Sequence, residues 1–160
     1  MDKSTIFLDI DGVMATVKQY SLNPNAKTWL KDYNIYPFDI GCVMVLNDIL
    51  KVTDSDIVVS SDWRNEYTLK ELCDIFAING VIKAPVGITP TFPTDASNYT
   101  KTRSEEILRY MEENYLSHWI AIDDEDMYYW LGDHFFLCKS DFEGIKQSGL
   151  KQKIIKYLTL

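Results

Sequence analysis

The chain has 160 residues, 46% of them hydrophobic and 25% charged, which fits one folded domain with a core of ordinary size and excludes a disordered or fibrous chain. Its net charge of −8 opposes a broad, sequence-independent nucleic-acid face, because such a face needs basic groups to displace counterions. No apolar run approaches the roughly 18 residues of a membrane span. The Asp2-Lys3 start does not read as a signal peptide, and three scattered cysteines (Cys42, Cys73, Cys138) suit a reducing, cytoplasmic setting better than a disulfide framework or a zinc site.

Four short apolar runs read as buried strands: Thr5 to Ile10, Asp56 to Ser60, His118 to Ile122 and Phe135 to Cys138. Helical patterns lie between them. The first spans roughly Ile40 to Lys51, with Val43, Leu46, Ile49 and Leu50 on one face. The second follows Thr68-Leu69-Lys70-Glu71, a capping-box pattern, and stops at Asn79-Gly80. The third follows the box-like Thr102-Arg103-Ser104-Glu105, with Ile107, Leu108 and Met111 as its stripe, and the last runs from about Leu150 to Leu158. Strands alternating with helices predict an α/β fold, a parallel Rossmann-like sheet covered on both faces. Two stretches read as irregular: a short flap from Ala15 to Asp39 and a Pro-rich loop from Lys83 to Asn98. Neither is large enough for an independent cap, so one domain over 1–160 with minimal or no cap is expected.

An Asp-x-Asp pair carries little weight alone. With 16 aspartates in the chain, about one or two such pairs arise from composition, and the sequence holds Asp9/Asp11, Asp54/Asp56 and Asp124/Asp126. Context distinguishes the first. Asp9 follows the apolar Ile6-Phe7-Leu8, where open α/β sheets bind ligands, and alternation turns Asp9 and Asp11 to one side. Gly12 allows a tight turn beside a ligand. Two more apolar strands end in polar groups, Ser60-Ser61-Asp62-Trp63-Arg64 and Asp123-Asp124-Glu125-Asp126. Clustered carboxylates repel unless a cation neutralises them.

These segments, in this order, resemble the four motifs of the haloacid dehalogenase-like (HAD) phosphohydrolases. Phe7-Leu8-Asp9-Ile10-Asp11-Gly12-Val13 resembles the first, Ile57-Val58-Val59-Ser60-Ser61 the second, a basic residue (Arg103 or Lys101) the third, and Ile120-Ala121-Ile122-Asp123-Asp124 the fourth. The Ser60-Ser61-Asp62-Trp63-Arg64 segment, the Ile88-Thr89-Pro90 segment and the acidic fourth motif are similar to the small HAD domain of RNA-repair proteins of the Swiss Army Knife type. The resemblance implies a magnesium-dependent phosphatase. Asp9 would be the nucleophile and Asp11 the general acid and then base. Ser60 would donate to a phosphate oxygen, aided near Ser61, and Arg103 would neutralise charge, with Lys101 the competing choice. Mg2+ would be held by Asp9, the Asp11 carbonyl and Asp123 or Asp124.

Trp63 and Arg64 have two even readings: an aromatic face and a guanidinium for substrate, or packing under the sheet rim. Asp126 reads either as a carboxylate that steadies the metal ligands or as a solvated acid in a turn. His118 and His134 read as structural, and Tyr128, Tyr129 and Trp130 as core or rim in preference to a base-stacking surface. Lys146, Lys151, Lys153 and Lys156 read as a solvated helix face. An open site would admit a phosphorylated nucleic-acid end, a phosphoprotein or a nucleotide, and no membrane partner is expected. Oligomeric state stays open, since a second copy would supply a cap as well. A phosphotransferase of the same superfamily and a catalytically idle binding module are the alternatives.

Overall fold

The computed structural model describes residues 3–16 and 37–160. Its centre is a five-stranded, wholly parallel sheet of β1 (Thr5–Leu8), β2 (Asp56–Val59), β3 (Gly87–Ile88), β4 (Trp119–Asp123) and β5 (Phe135–Leu137), in the order β3-β2-β1-β4-β5. The main helices are α1 (Ile40–Thr53), α2 (Leu69–Ile78), α3 (Tyr99–Glu113), the single turn α4 (Tyr128–Leu131) and α5 (Leu150–Leu158).

Strand alternation sorts the core into two layers. Ile6, Leu8, Ile57, Val59, Ile120 and Ile122 face one side, where α1, α2 and α5 supply Leu46, Ile49, Leu72, Phe76 and Ile154. Phe7, Val58, Trp119 and Ala121 face the other, against Ile107 of α3 and Leu131 of α4. The register explains the layers: Ile6 lies beside Ile57 and Ile120, and Leu8 beside Val59 and Ile122. Helices therefore cover both faces, and an α/β, Rossmann-like arrangement holds.

Local chemistry sets the element ends. The Thr68 hydroxyl accepts from the Glu71 N–H at 3.2 Å, and Glu71 accepts from the Thr68 N–H at 3.1 Å, a closed capping box at the start of α2. Asp39 caps α1 by accepting from the Gly41 N–H at 2.8 Å. Burial raises the Asp39 carboxyl, but hydrogen bonds from Lys146 and Thr16 outweigh it and hold the group below the ordinary value. Lys146 therefore lies not on a solvated helix face but in a 3-10 turn, Gly144–Lys146, 2.5 Å from Asp39. Lys151 pairs with Asp48 at 2.9 Å, and Lys153 and Lys156 are exposed.

Three expectations need correction. The Pro-rich stretch 83–98 is not wholly irregular, since Gly87–Ile88 pairs in parallel with Val58 and Val59. Helix α3 starts at Tyr99 rather than at a Thr102 cap. An Asx turn, in which Asp95 Oδ1 accepts from the Ser97 and Asn98 N–H groups, feeds the chain into the helix one turn earlier. Tyr128, Tyr129 and Trp130 are exposed rather than core, because Met127 and Leu131 take the buried face of that turn. The flap read over 15–39 lies mostly outside the described residues. His118 donates its Nε2–H to the Leu158 carbonyl at 3.0 Å and stacks on Tyr157, and His134 stacks on Trp119, in keeping with structural roles.

Candidate active site

In a sheet of this order the connections leave β1 in opposite directions, so the crevice between the carboxyl ends of β1 and β4 is the topological switch point. The first and fourth acidic segments meet there. Asp9 follows β1 directly, and the chain then turns tightly, with the Val13 and Met14 N–H groups donating to the Ile10 carbonyl at 3.2 and 2.8 Å. Gly12 sits in that turn at φ +78°, a conformation that disfavours any side chain. A Cβ there would lie 2.2 Å from Asp124 Oδ2, so the Asp124 carboxylate rests on the bare glycine.

The site is a cavity of about 200 Å3 lined by Asp9, Asp11, Ser61, Asp62, Tyr99, Arg103, Asp124 and Glu125. Among the described residues, Arg103 is the only cation in that lining. Its guanidinium is buried, with Nη1 2.7 Å from Asp123 Oδ2 and 3.4 Å from Asp9 Oδ1, and Nη2 3.2 Å from Asp62. Nη2 also donates to the Tyr99 hydroxyl, which donates to Asp62 Oδ2 at 2.8 Å. Lys101 is two residues from Arg103 and so on another face of α3, exposed and 3.9 Å from Glu105. Of the two candidates for the third motif, Arg103 alone enters the cavity.

Oxygens of Asp9, Asp123 and Asp124 lie within 4.8 Å of one another. Asp9 and Asp123 are buried and Asp124 half-buried. Burial and the neighbouring Asp123 charge push the Asp9 carboxyl well above its ordinary value, against the pull of Arg103. Asp124 is pushed up to about 6 for the same reasons, burial first and Asp123 second. A trio of hard oxygen donors that repel one another when charged fits a small divalent cation, which would relieve both burial and repulsion.

Of the second-motif residues, Ser61 lines the cavity, and its Oγ accepts from the Trp63 N–H at 3.3 Å. Ser60 is fully buried and outside that lining, and its Oγ has no partner among the described residues. Trp63 packs on Phe38 and Tyr67 and donates its indole N–H to Asp11 Oδ2 at 3.0 Å. Arg64 turns inward, with a side chain 2% exposed. It donates to the Ser60 and Ser61 carbonyls at 2.8 and 2.9 Å and to Glu106 at 2.5 Å, so packing rather than substrate contact describes it. Asp126 is exposed and accepts from the Tyr128 N–H at 2.9 Å.

Residues 5–148 match the family model of the HAD domain in Swiss Army Knife RNA repair proteins. The chain belongs to that family. No curated protein and no solved structure matches it. The crevice of this HAD domain brings together Asp9, Asp11, Ser61, Arg103 and Asp124, with Asp123 bonded to Arg103 and Ser60 outside the cavity lining. Asp62 and Tyr99 also line this cavity, and Glu106 pairs with Arg64; the sequence reading assigns none of the three a role. Tyr99 and Glu106 precede and follow Arg103 at i−4 and i+3, a helical spacing legible once the start of α3 is placed at Tyr99.

Proposed function

We propose that this HAD domain is a magnesium-dependent phosphohydrolase that passes the phosphoryl group through Asp9, acting on a nucleotide or a phosphorylated nucleic-acid end. The observation that carries the reading is one cavity holding Asp9 and Asp11 with Arg103 as the sole cation of its lining among the described residues. Family membership supports phosphohydrolase chemistry in general. The Asp9 carboxylate attacks phosphorus, the bond to the leaving oxygen breaks, and Asp11 gives that oxygen a proton. Asp11 then takes a proton from the water that cleaves the aspartyl phosphate. Arg103 offsets negative charge on the non-bridging oxygens, and Ser60, whose hydroxyl has no partner among the described residues, would turn to donate to one of them. Asp9, Asp123, Asp124 and the Asp11 carbonyl would hold Mg2+, which, when bound, shields one anion from the other and orients the phosphoryl group.

The test is phosphate release from a generic aryl phosphate, from mononucleotides and from 5′- and 3′-phosphorylated oligonucleotides, with magnesium and with chelator. Release that needs magnesium and falls to background in a folded Asp9→Asn variant is expected. Retained release in that variant overturns the mechanism.

A further inference from the structure

A second cavity, of about 320 Å3, adjoins the candidate catalytic one and shares Asp62, Tyr99 and Arg103 with it as a common wall. Its other walls come from the segments after β2 and β3 and include Asn65, Glu66, Thr91 and Phe92, with the Arg64–Glu106 pair alongside. The volume falls in the range of small-molecule pockets, roughly 300–1,000 Å3. Among the described residues, a group bonded to a phosphate in the first cavity can reach this second one across the shared wall.

The charges in this wall exclude one class of occupant. Arg64 is engaged with two carbonyls and Glu106, and Arg103 with Asp9, Asp62 and Asp123. Of the cations that line the cavity among the described residues, neither is available to a second phosphate, while the exposed groups at the rim, Asp62 and Glu66, are acidic. A leaving group carrying further phosphates meets repulsion there, and a neutral one does not. The remaining surface suits a flat heterocycle. Phe92 and Tyr99 are half-buried rings, and Arg109 lies over the Phe92 ring at 6.0 Å. The Thr91 hydroxyl donates to Asn65 Oδ1 at 2.6 Å, which fixes the amide and leaves its N–H pair without a protein partner among the described residues.

We propose that this cavity is the leaving-group subsite of the reaction proposed above, and that it selects the neutral nucleoside of a mononucleotide over a polynucleotide or a nucleoside bearing a second phosphate. Base stacking on Phe92 and hydrogen bonding to Asn65 supply the recognition, and Asp62 and Glu66 the rejection.

Two measurements test it. The first is catalytic: the ratio of kcat/KM for adenosine monophosphate to that for glycerol phosphate, which has no ring. Phe92→Ser should lower this ratio about tenfold, the loss expected when one base–aromatic stack is removed, and Asn65→Ala should lower it several-fold. A mononucleotide should also be a better substrate than a nucleoside bisphosphate or a 5′-phosphorylated dinucleotide. The second is independent of turnover: adenosine alone, titrated into the protein and followed by NMR or calorimetry, should bind saturably and lose that binding in both variants. Asn65 is exposed, so its variant keeps the test decisive if Phe92→Ser does not fold. An unchanged ratio in both variants, or faster turnover of the phosphorylated dinucleotide, overturns the proposal. Absence of turnover on every phosphate ester contradicts the phosphatase reading instead, and adenosine binding then decides the subsite by itself.

Discussion

Arg64→Met removes one half of a buried ion pair and should unfold the protein at a markedly lower temperature. Arg64 and Glu106 have side chains 2% and 5% exposed, and their charged atoms lie 2.5 Å apart. Methionine fills the stem of arginine but leaves the Glu106 carboxylate with a single donor, the Phe92 N–H at 2.8 Å. Breaking a buried pair from one side costs about 3–5 kcal/mol, which in a chain of this length lowers Tm by roughly 6–20 °C. The pH dependence has a definite sign. Burial already raises the Glu106 carboxyl above its ordinary value, against the pull of the Phe92 N–H and Arg64, and loss of Arg64 raises it further. A carboxyl raised in the folded state favours folding below the unfolded value and loses that contribution as pH rises through the folded value. The deficit of Arg64→Met relative to the parent should therefore shrink as pH falls from neutrality toward the ordinary carboxyl range. Thermal melts by circular dichroism at several pH values measure this, and Arg64→Met/Glu106→Gln should recover most of the loss. A parent-like Tm combined with a raised KM would refute the assignment and make Arg64 a substrate contact.

Other predictions follow from single contacts. Gly12→Ala combines left-handed strain of about 1–2 kcal/mol with overlap on Asp124, so magnesium affinity measured by calorimetry should fall roughly 10–100-fold; parent-like affinity would show that Asp124 is not positioned by this turn. Trp63→Phe keeps the ring packing on Phe38 and Tyr67 but deletes the donor to Asp11, so kcat should fall about tenfold with KM little changed; a change in KM alone would make Trp63 a binding residue. Asp39, depressed overall by Lys146 and Thr16 despite its burial, stabilises the fold above its unfolded value of 3.8 and loses that contribution as pH falls below it. Asp39→Asn should therefore be less stable than the parent at neutral pH and close to it at the acid end of a pH series of melts.

The parts of the fold legible in the sequence were those set by local pattern. Apolar runs marked β1, β2, β4 and β5 to within two residues, because buried parallel strands carry little polar alternation. The Thr68–Glu71 box marked α2 because its two hydrogen bonds close within four residues. Strand β3 escaped because two residues between prolines show no period, and its pairing with β2 is set by the sheet. At the site, strand-end placement brought Asp9, Asp11, Asp123 and Asp124 within reach of one crevice. The orientation of Arg64, the choice of Arg103 over Lys101 and the bond from Trp63 to Asp11 were not legible. They depend on which face of a turn or helix meets a segment dozens of residues away, and the box-like Thr102–Glu105 pattern points to a start of α3 one turn after the actual one at Tyr99.

The most direct test of the central claim is to trap the covalent intermediate. The protein is mixed with magnesium and a phosphate monoester, quenched in acid within the first turnover, digested and mapped by mass spectrometry. Phosphoryl transfer through Asp9 predicts a phosphorylated peptide that contains Asp9, absent without magnesium and absent in Asp9→Asn. Full phosphate release with no modified peptide, or release undiminished in Asp9→Asn, would contradict it.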